Sequence, residues 1–108
     1  MSKNIVNIMT IKKYVATRKI EWTKHCLNRI QQRNISSIDI KMSINNGEII
    51  EYYLEDYPYS SCLISGYDAN DEILHIVCGI NNEKLYIITA YHPDTDRWEE
   101  DMKTRRKE

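Results

Sequence analysis

The pattern of hydrophobic positions changes at Gly47, from helical spacing before it to alternation after it. Residues 4–18 place most of their apolar side chains along one helical face, which predicts an amphipathic first helix. Thr23 and Ser36 are residue types that cap helix N-termini, so a second and a third helix are predicted to begin there. The second helix is predicted to end near Asn34, a residue that tolerates the left-handed conformation of a helix end.

Four alternating runs follow Gly47, and each of them predicts a β-strand. The connections between the later runs are short and turn-like, which favours antiparallel pairing. The predicted strands are Glu48 to Tyr53, Cys62 to Tyr67, Glu72 to Ile80 and Lys84 to Tyr91.

A two-residue turn at Asn81-Asn82 or Asn82-Glu83 would join the last two strands into a hairpin. Strict alternation then assigns one face to Leu74, Ile76, Cys78, Ile87, Thr89 and Tyr91. It assigns the other face to His75, Val77, Tyr86, Ile88 and Ala90. Both faces are largely apolar, so this hairpin is expected to be central in the sheet.

These elements predict one α+β domain over residues 1–108, in which the N-terminal helices cover one face of a four-stranded antiparallel sheet. The segment Lys19-Ile20-Glu21 is predicted to be an extended link between the first two helices. Trp98 and Met102 are helically spaced, which predicts a short helical segment at the C-terminus. Trp98 is expected to close the edge of the core.

The composition is that of an ordinary globular protein, with 42% hydrophobic and 29% charged residues. The longest apolar runs are too short to span a bilayer, so no membrane association is expected. The N-terminus does not resemble a secretory signal, which predicts a cytoplasmic protein. Cys26, Cys62 and Cys78 lack the spacings of a zinc site, so buried reduced thiols are expected, with no metal and no cofactor.

Charge is unevenly distributed along the chain. The net charge is +7 over residues 1–33, −11 over residues 34–101 and +3 over residues 102–108, for a total of −1. The two basic segments can form a patch that binds nucleic acid or another polyanion. The alternative is that the basic and acidic segments pair with each other across the fold.

The most distinctive polar pattern lies on the predicted second helix. His25, Arg29 and Arg33 are spaced i, i+4 and i+8, which places them on one helical face. An imidazole beside two guanidiniums suits proton transfer and the bidentate binding of phosphate or carboxylate. The alternative is a solvated helix face without a function. His75 is either a half-buried, hydrogen-bonded histidine or a working group on the open face of the sheet.

Several of these segments, taken in order over about residues 20–100, resemble the family called domain of unknown function 4258. The segments are Trp22-Thr23-x-His25-x-x-x-Arg29-x-x-x-Arg33-x-Ile35-Ser36, Gly47-Glu48-Ile49-Ile50-Glu51, Leu74-His75-Ile76-Val77 and Ile88-Thr89-Ala90-Tyr91-x-Pro93-Asp94, followed by Trp98. The family is similar in architecture to the RelE and BrnT toxins, which are small metal-independent ribonucleases. Such toxins are usually strongly basic, whereas this chain has a net charge of −1.

The resemblance implies an RNA endonuclease of toxin–antitoxin type. His25 and His75 would transfer protons, Arg29 would stabilise the charge that develops on the phosphate, and Arg33, Thr89 and Tyr91 would bind the substrate. The expected partners are RNA, an antitoxin-like protein and a second copy of the chain. The alternative is a non-catalytic module that binds protein or nucleic acid. Convergence of His25, Arg29 and His75 in one cleft would favour the enzyme, and scattered positions would favour the binding module.

Overall fold

The computed structural model describes residues 6–107, which form an α+β unit of three helices and five strands. The strand order across the mixed sheet is β1-β5-β4-β3-β2, with β1 parallel to β5 and the other neighbours antiparallel. The elements are α1 (Ile8–Ala16), β1 (Ile20–Trp22), α2 (Lys24–Gln32), α3 (Ser37–Asn46), β2 (Glu48–Tyr53), β3 (Ser61–Tyr67), β4 (Ile73–Asn81) and β5 (Lys84–Tyr91). Residues 4 and 5 of the predicted first helix lie outside the described residues. Among residues 6–107, no helix has both the length and the apolar character that crossing a membrane requires.

The helix boundaries follow from side-chain caps, as predicted. The Thr23 hydroxyl accepts a hydrogen bond from the backbone N–H of Cys26 at 3.0 Å, and Ser36 does the same for Asp39 at 3.0 Å. Asn34, which follows the end of α2, has a φ of 60° and adopts the predicted left-handed conformation.

The prediction of a four-stranded antiparallel sheet is wrong in one respect, because the supposed link contributes a fifth strand. Strand β1 pairs in parallel with β5, with Ile20 opposite Leu85 and Trp22 opposite Ile87. A strand of three residues is too short for alternation to reveal it. Its conformation is set by hydrogen bonds to a distant segment of the chain, which sequence periodicity does not report.

A bulge in β5 overturns part of the predicted face assignment. The two-residue turn is present as predicted, since Asn82 and Glu83 have φ values of 52° and 59°. Val77 pairs with Thr89, however, while Cys78 pairs with Ile87, so Ile88 is an extra residue without a partner. The bulge moves Thr89 and Tyr91 to the face of His75, and it moves Ala90 into the core.

The hydrophobic core lies between the three helices and the face of the sheet that they cover. Its fully buried side chains include Ile11, Ile40, Ile44, Ile64, Leu74, Ile76, Ile80, Leu85 and Ile87. The three cysteines are also fully buried, in agreement with the prediction, and they are free cysteines in the structure. The opposite face of the sheet is covered in part by the C-terminal segment.

The predicted C-terminal helix is wrong. The described part of this segment forms consecutive turns, and it closes on itself through an antiparallel bridge between Trp98 and Arg105. The Asp101 carboxylate accepts hydrogen bonds from the backbone N–H groups of Lys103 and Thr104, at 2.9 and 3.0 Å, in competition with helical bonding. Met102 has a φ of 57°, which no right-handed helix allows.

Candidate functional site

A cleft opens where α2 runs beside the end of β5. Strand β1 stops opposite Ile87, and beyond that point α2 replaces it along β5. The Thr23 hydroxyl donates to the Ile87 carbonyl at 3.3 Å, and Arg33 donates to the Ala90 carbonyl at 2.8 Å. The cavity between these elements has a volume of about 540 Å³, and we call it the basic cleft. Its walls are formed by His25, Arg29, Arg33, Thr89, Tyr91, His92, Asp94, Arg97 and Trp98.

The structure brings together five of the six residues predicted to form the site. The stripe of His25, Arg29 and Arg33 faces the basic cleft, and Thr89 and Tyr91 line it from β5. Thr89 and Tyr91 reach this position because of the bulge at Ile88, so their place in the site follows from a feature that the hairpin prediction missed.

The two arginines of the stripe differ in their internal bonding. One Nη atom of Arg33 donates to Thr89 Oγ1 at 3.1 Å and to the Ala90 carbonyl, which fixes the side chain against β5. Arg29 is exposed, and its side chain has no hydrogen-bond or ion-pair partner among residues 6–107. Its five N–H donors are therefore available to a ligand that presents phosphate or carboxylate oxygens.

The basic cleft is electropositive in a chain that is slightly acidic overall. Three guanidiniums line the cleft, against the single carboxylate of Asp94. The nearest oxygen of Asp94 is 3.8 Å from the Nε of Arg97, and both side chains are well exposed, so this ion pair neutralises little. The cleft is suited to an anionic ligand.

Sequence reasoning missed His92 and Arg97, which lie at the end of β5 and in the loop after it. The Nδ1 of His92 is 3.0 Å from the Ile73 carbonyl, and its Nε2 is 3.9 Å from the buried carboxylate of Asp68. The available signal for His92 was its position directly after the predicted strand that carries Thr89 and Tyr91.

His75 does not line the basic cleft. It is fully buried beneath the C-terminal segment, where its Nε2 donates to the Met102 carbonyl at 2.7 Å and its ring packs edge-on against Trp98 at 4.7 Å. Burial lowers the pKa of His75, which favours the neutral ring near pH 7. The predicted convergence of His25, Arg29 and His75 is therefore limited to the first two residues.

Two further groups near the cleft have defined protonation states. Burial raises the pKa of Tyr91, so its phenol stays protonated near neutral pH and can donate a hydrogen bond. Burial also raises the pKa of Cys26 to about 11, and the opposing effect of Arg33 is smaller. Cys26 is thus an unreactive core thiol and no candidate nucleophile.

One group of side chains has the composition of a metal site. Asp68, Glu72 and His92 each offer a ligand atom, and these atoms lie within 4.8 Å of one another. Two carboxylates and one imidazole suit several divalent cations. Asp68 is buried, whereas Glu72 and His92 are exposed.

The comparisons with known proteins identify a family and no individual relative. No curated protein and no solved structure matches the chain. The model of the family described as Domain of unknown function (DUF4258) matches residues 22–92, about two thirds of the chain. The matched region runs from Trp22 through the stripe on α2 to His92, and it leaves out α1 and the C-terminal segment. The protein belongs to this family of unknown function.

Proposed function

We propose that the protein binds single-stranded RNA in the basic cleft and cleaves it as a metal-independent endonuclease. The observation that carries the proposal is the meeting of two histidines, His25 and His92, with Arg29, whose side chain has no partner among the described residues, in one electropositive cavity. RNA cleavage without a metal requires a base, an acid and a cation that stabilises the phosphorane. Imidazole is the side chain best suited to both proton transfers near neutral pH.

The reaction assigned to the cleft is an attack by the ribose 2′-oxygen on the adjacent phosphorus. A bond forms between the 2′-oxygen and phosphorus, and the bond from phosphorus to the 5′-oxygen breaks. His92 takes the proton of the 2′-hydroxyl, and His25 donates a proton to the leaving 5′-oxygen. Arg29 and Tyr91 donate hydrogen bonds to the phosphate oxygens, where negative charge develops. The products are a 2′,3′-cyclic phosphate and a 5′-hydroxyl.

The base is assigned to His92 because of its hydrogen bonding. When the Nδ1–H donates to the Ile73 carbonyl, the Nε2 carries the lone pair and can accept a proton. The Asp68 carboxylate, 3.9 Å from that Nε2, would stabilise the imidazolium that forms. His75 has no role in this scheme, because it is enclosed beneath Trp98.

The proposal groups the protein with the RelE and BrnT toxins, to which the family resemblance points. It includes a cytoplasmic location and an antitoxin-like partner protein that blocks the basic cleft, with a homodimer as a further form. The second candidate is a non-catalytic module that binds RNA or protein through the same stripe. The position of His75 outside the cleft favours this alternative, since one of the three residues expected to converge is elsewhere.

The test is incubation of the purified protein with a single-stranded RNA in excess chelator, with detection of 2′,3′-cyclic phosphate ends. We expect cleavage by the wild type, and a loss of about 10²- to 10⁴-fold in the His25→Ala and His92→Ala variants. Lys24→Ala is the matched control, because Lys24 is exposed on the same helix and is not part of the cleft lining.

Three outcomes decide between the candidates. Cleavage that depends on both histidines supports the enzyme. RNA binding without cleavage, lost in Arg29→Ala and retained in Lys24→Ala, replaces the enzyme with the binding module. Cleavage that survives both histidine substitutions in folded protein refutes the assigned acid and base.

A further inference from the structure

A second cavity shares one wall with the basic cleft. It has a volume of about 280 Å³ and lies between the start of α2 and the loop that precedes β3. Its lining is mainly apolar and aromatic, and we call it the aromatic pocket. It is formed chiefly by His25, Asp56, Tyr57, Pro58, Tyr59 and Ile88. His25 lines both cavities, so a ligand anchored in the basic cleft can extend into the aromatic pocket past this residue.

One wall of the aromatic pocket is preformed. The ring of Tyr59 lies on the sheet, with its centroid 5.2 Å from that of Tyr86. The neighbouring position is Gly79, where a Cβ atom would lie 2.6 Å from Cδ1 of Tyr59. A side chain at position 79 would thus displace the ring. The half-buried Tyr59 is held in place before any ligand binds, which lowers the entropic cost of binding against it.

The other aromatic side chain of the pocket is free of such support. Tyr57 is 95% exposed, and its large apolar ring therefore gains almost nothing from the packing of the folded chain. A planar ligand that entered the pocket would find a fixed ring in Tyr59 and an exposed ring in Tyr57. Aromatic side chains beside a phosphate-binding groove are the elements with which proteins bind the bases of single-stranded nucleic acid.

We propose that the aromatic pocket binds a nucleobase, namely the base attached to the nucleotide whose phosphate occupies the basic cleft. This inference rests on the proposed function and specifies its substrate as an RNA with an unstacked base at the bound nucleotide. The base stacks against Tyr57 and Tyr59, while Arg29 holds the phosphate on the other side of His25. Binding of the base thereby positions the ribose beside His25.

The polar group at the pocket also favours certain bases. The Thr23 hydroxyl already donates to Ile87 and accepts from Cys26, so it is occupied. One carboxylate oxygen of Asp56 accepts a hydrogen bond from Ser61 at 2.6 Å, which leaves the other oxygen as an acceptor. A carboxylate accepts from the amino groups of cytosine, adenine or guanine, whereas uracil presents carbonyl oxygens on both sides of its single N–H.

The experiment compares ligands that contain the same phosphate with and without a base. The probes are ribose 5-phosphate, the 5′-monophosphates of cytidine and guanosine, and uridine 5′-monophosphate, each titrated into the intact protein by calorimetry or NMR. We expect cytidine or guanosine monophosphate to bind about 5- to 100-fold more tightly than ribose 5-phosphate, as stacking of one base on aromatic side chains typically provides. We expect uridine monophosphate to gain less.

Tyr57→Ala is the decisive variant, since a side chain that is 95% exposed can be removed without a loss of folding. It should abolish most of the advantage of the base and leave the affinity for ribose 5-phosphate unchanged, and Tyr57→Phe should restore the advantage. The matched control is Tyr52→Ala, because Tyr52 is 55% exposed on strand β2 and does not line the pocket.

The outcomes separate this inference from the proposed function. Equal affinity for ribose 5-phosphate and all three nucleotides, together with RNA cleavage, overturns the nucleobase site and leaves the nuclease standing. An advantage of the base that depends on Tyr57, in a protein that cleaves nothing, supports the nucleobase site and overturns the nuclease. No binding of any probe overturns the nucleobase site. An advantage that is equal for uridine overturns the role of Asp56.

Discussion

Two regions on the same side of the sheet contain the same residue types in opposite environments. The basic cleft combines the exposed His25 and Arg29 with the half-buried Tyr91. The second region, which we call the His75 cluster, combines His75, Trp98, Arg105, Glu51 and Tyr53 beneath and within the C-terminal segment. In this cluster Arg105 donates to both carboxylate oxygens of Glu51, at 2.7 and 3.1 Å, and its guanidinium lies 4.6 Å from the ring of Trp98.

The comparison shows that side chains bonded to other parts of the protein stabilise the fold, whereas side chains without such bonds can bind a ligand. Burial by itself would raise the pKa of Glu51, but the hydrogen bonds from Arg105 and Tyr53 outweigh it, and the pKa is lowered. The charge of Arg105 is therefore committed to holding the C-terminal segment on the sheet. Arg29 has no such partner among the described residues, so its charge is free to bind a ligand. The difference predicts that substitutions in the basic cleft lower RNA cleavage or binding, and that substitutions in the His75 cluster lower the free energy of unfolding.

The largest contrast is expected between the two histidines. His25→Ala should lower RNA cleavage by about 10²- to 10⁴-fold and leave the free energy of unfolding within about 0.5 kcal/mol, because the side chain is exposed. His75→Ala should mainly destabilise the fold, because it removes a buried ring and its bond to Met102. Cleavage assays and denaturant titrations measure both effects. The comparison fails if His75→Ala abolishes cleavage in a protein of unchanged stability.

The next effect is mainly on stability and is measured by denaturant titration, although Trp98 also lines the basic cleft. Trp98→Ala should lower the free energy of unfolding by about 3–5 kcal/mol, the usual cost of removing a large buried aromatic ring. Trp98 is only 2% exposed, and its ring supports both His75 and Arg105. Tyr57→Ala is the control, since it removes an aromatic ring that is almost fully exposed and should change stability by less than about 0.5 kcal/mol. Similar losses of unfolding free energy in the two variants would show that Trp98 is not packed in the buried position that the structure gives it.

The sequence was informative at most features that depend on local chemistry, although it missed the equally local turn at Asp101 that replaces the predicted C-terminal helix. Thr23 and Ser36 cap the helices that they were predicted to begin, and Asn82 and Glu83 form the predicted turn. The stripe of His25 and Arg29 follows from helical geometry alone, so it was found without knowledge of the tertiary structure. Each of these features is decided by residues within one or two turns of chain.

The sequence failed wherever a distant contact decided the outcome. The bulge at Ile88 reverses the facing of Thr89 and Tyr91, and it appears only in the register between β4 and β5. His92 lies in the site because β5 ends beside α2, and its position directly after the predicted strand was only an indirect signal of this. Alternation could not classify His75, because it does not show that the C-terminal segment, distant in sequence, covers that face of the sheet.

A smaller effect should distinguish the two arginines. Arg29→Lys should weaken RNA binding about tenfold with no change in stability, because a lysine is a point charge that does not reproduce the bidentate fork. Arg105→Lys should instead lower the free energy of unfolding by about 1 kcal/mol and leave RNA binding intact, since it loses one of two bonds to Glu51. Parallel RNA titrations and denaturant titrations measure the two variants. Loss of RNA binding in Arg105→Lys at full stability would place Arg105 in the binding site.

The smallest effect is a decline in stability as the pH falls below the ordinary histidine pKa of about 6.5, which the His75 cluster should produce. Burial lowers the pKa of His75, and Arg105 adds to this, against the opposite effects of the Met102 carbonyl and Glu51. Since the unfolded chain binds a proton more readily than the folded one, stability is complete above the ordinary histidine value of about 6.5 and declines as the pH falls through it. The slope cannot exceed about 1.4 kcal/mol per pH unit for one proton.

The lone pair on Nδ1 of His75 is the physical reason for this direction, and it also supplies the control. Nδ1 is buried without a hydrogen-bond partner among residues 6–107, so protonation would place an unpaired N–H donor in the interior. The carboxyls with lowered pKa, including Glu51 and Asp39, begin to lose their stabilising effect as the pH falls into the ordinary carboxyl range, below about pH 5, and lose it fully only at more acidic pH. His75→Gln retains an N–H donor for the Met102 carbonyl but does not titrate, so denaturant titrations of this variant should show a flatter profile from pH 7 to pH 5. If the dependence of the unfolding free energy on pH is unchanged in His75→Gln, other groups cause it. The conclusion that His75 is a buried, neutral histidine, in contrast to the exposed His25, would then be wrong.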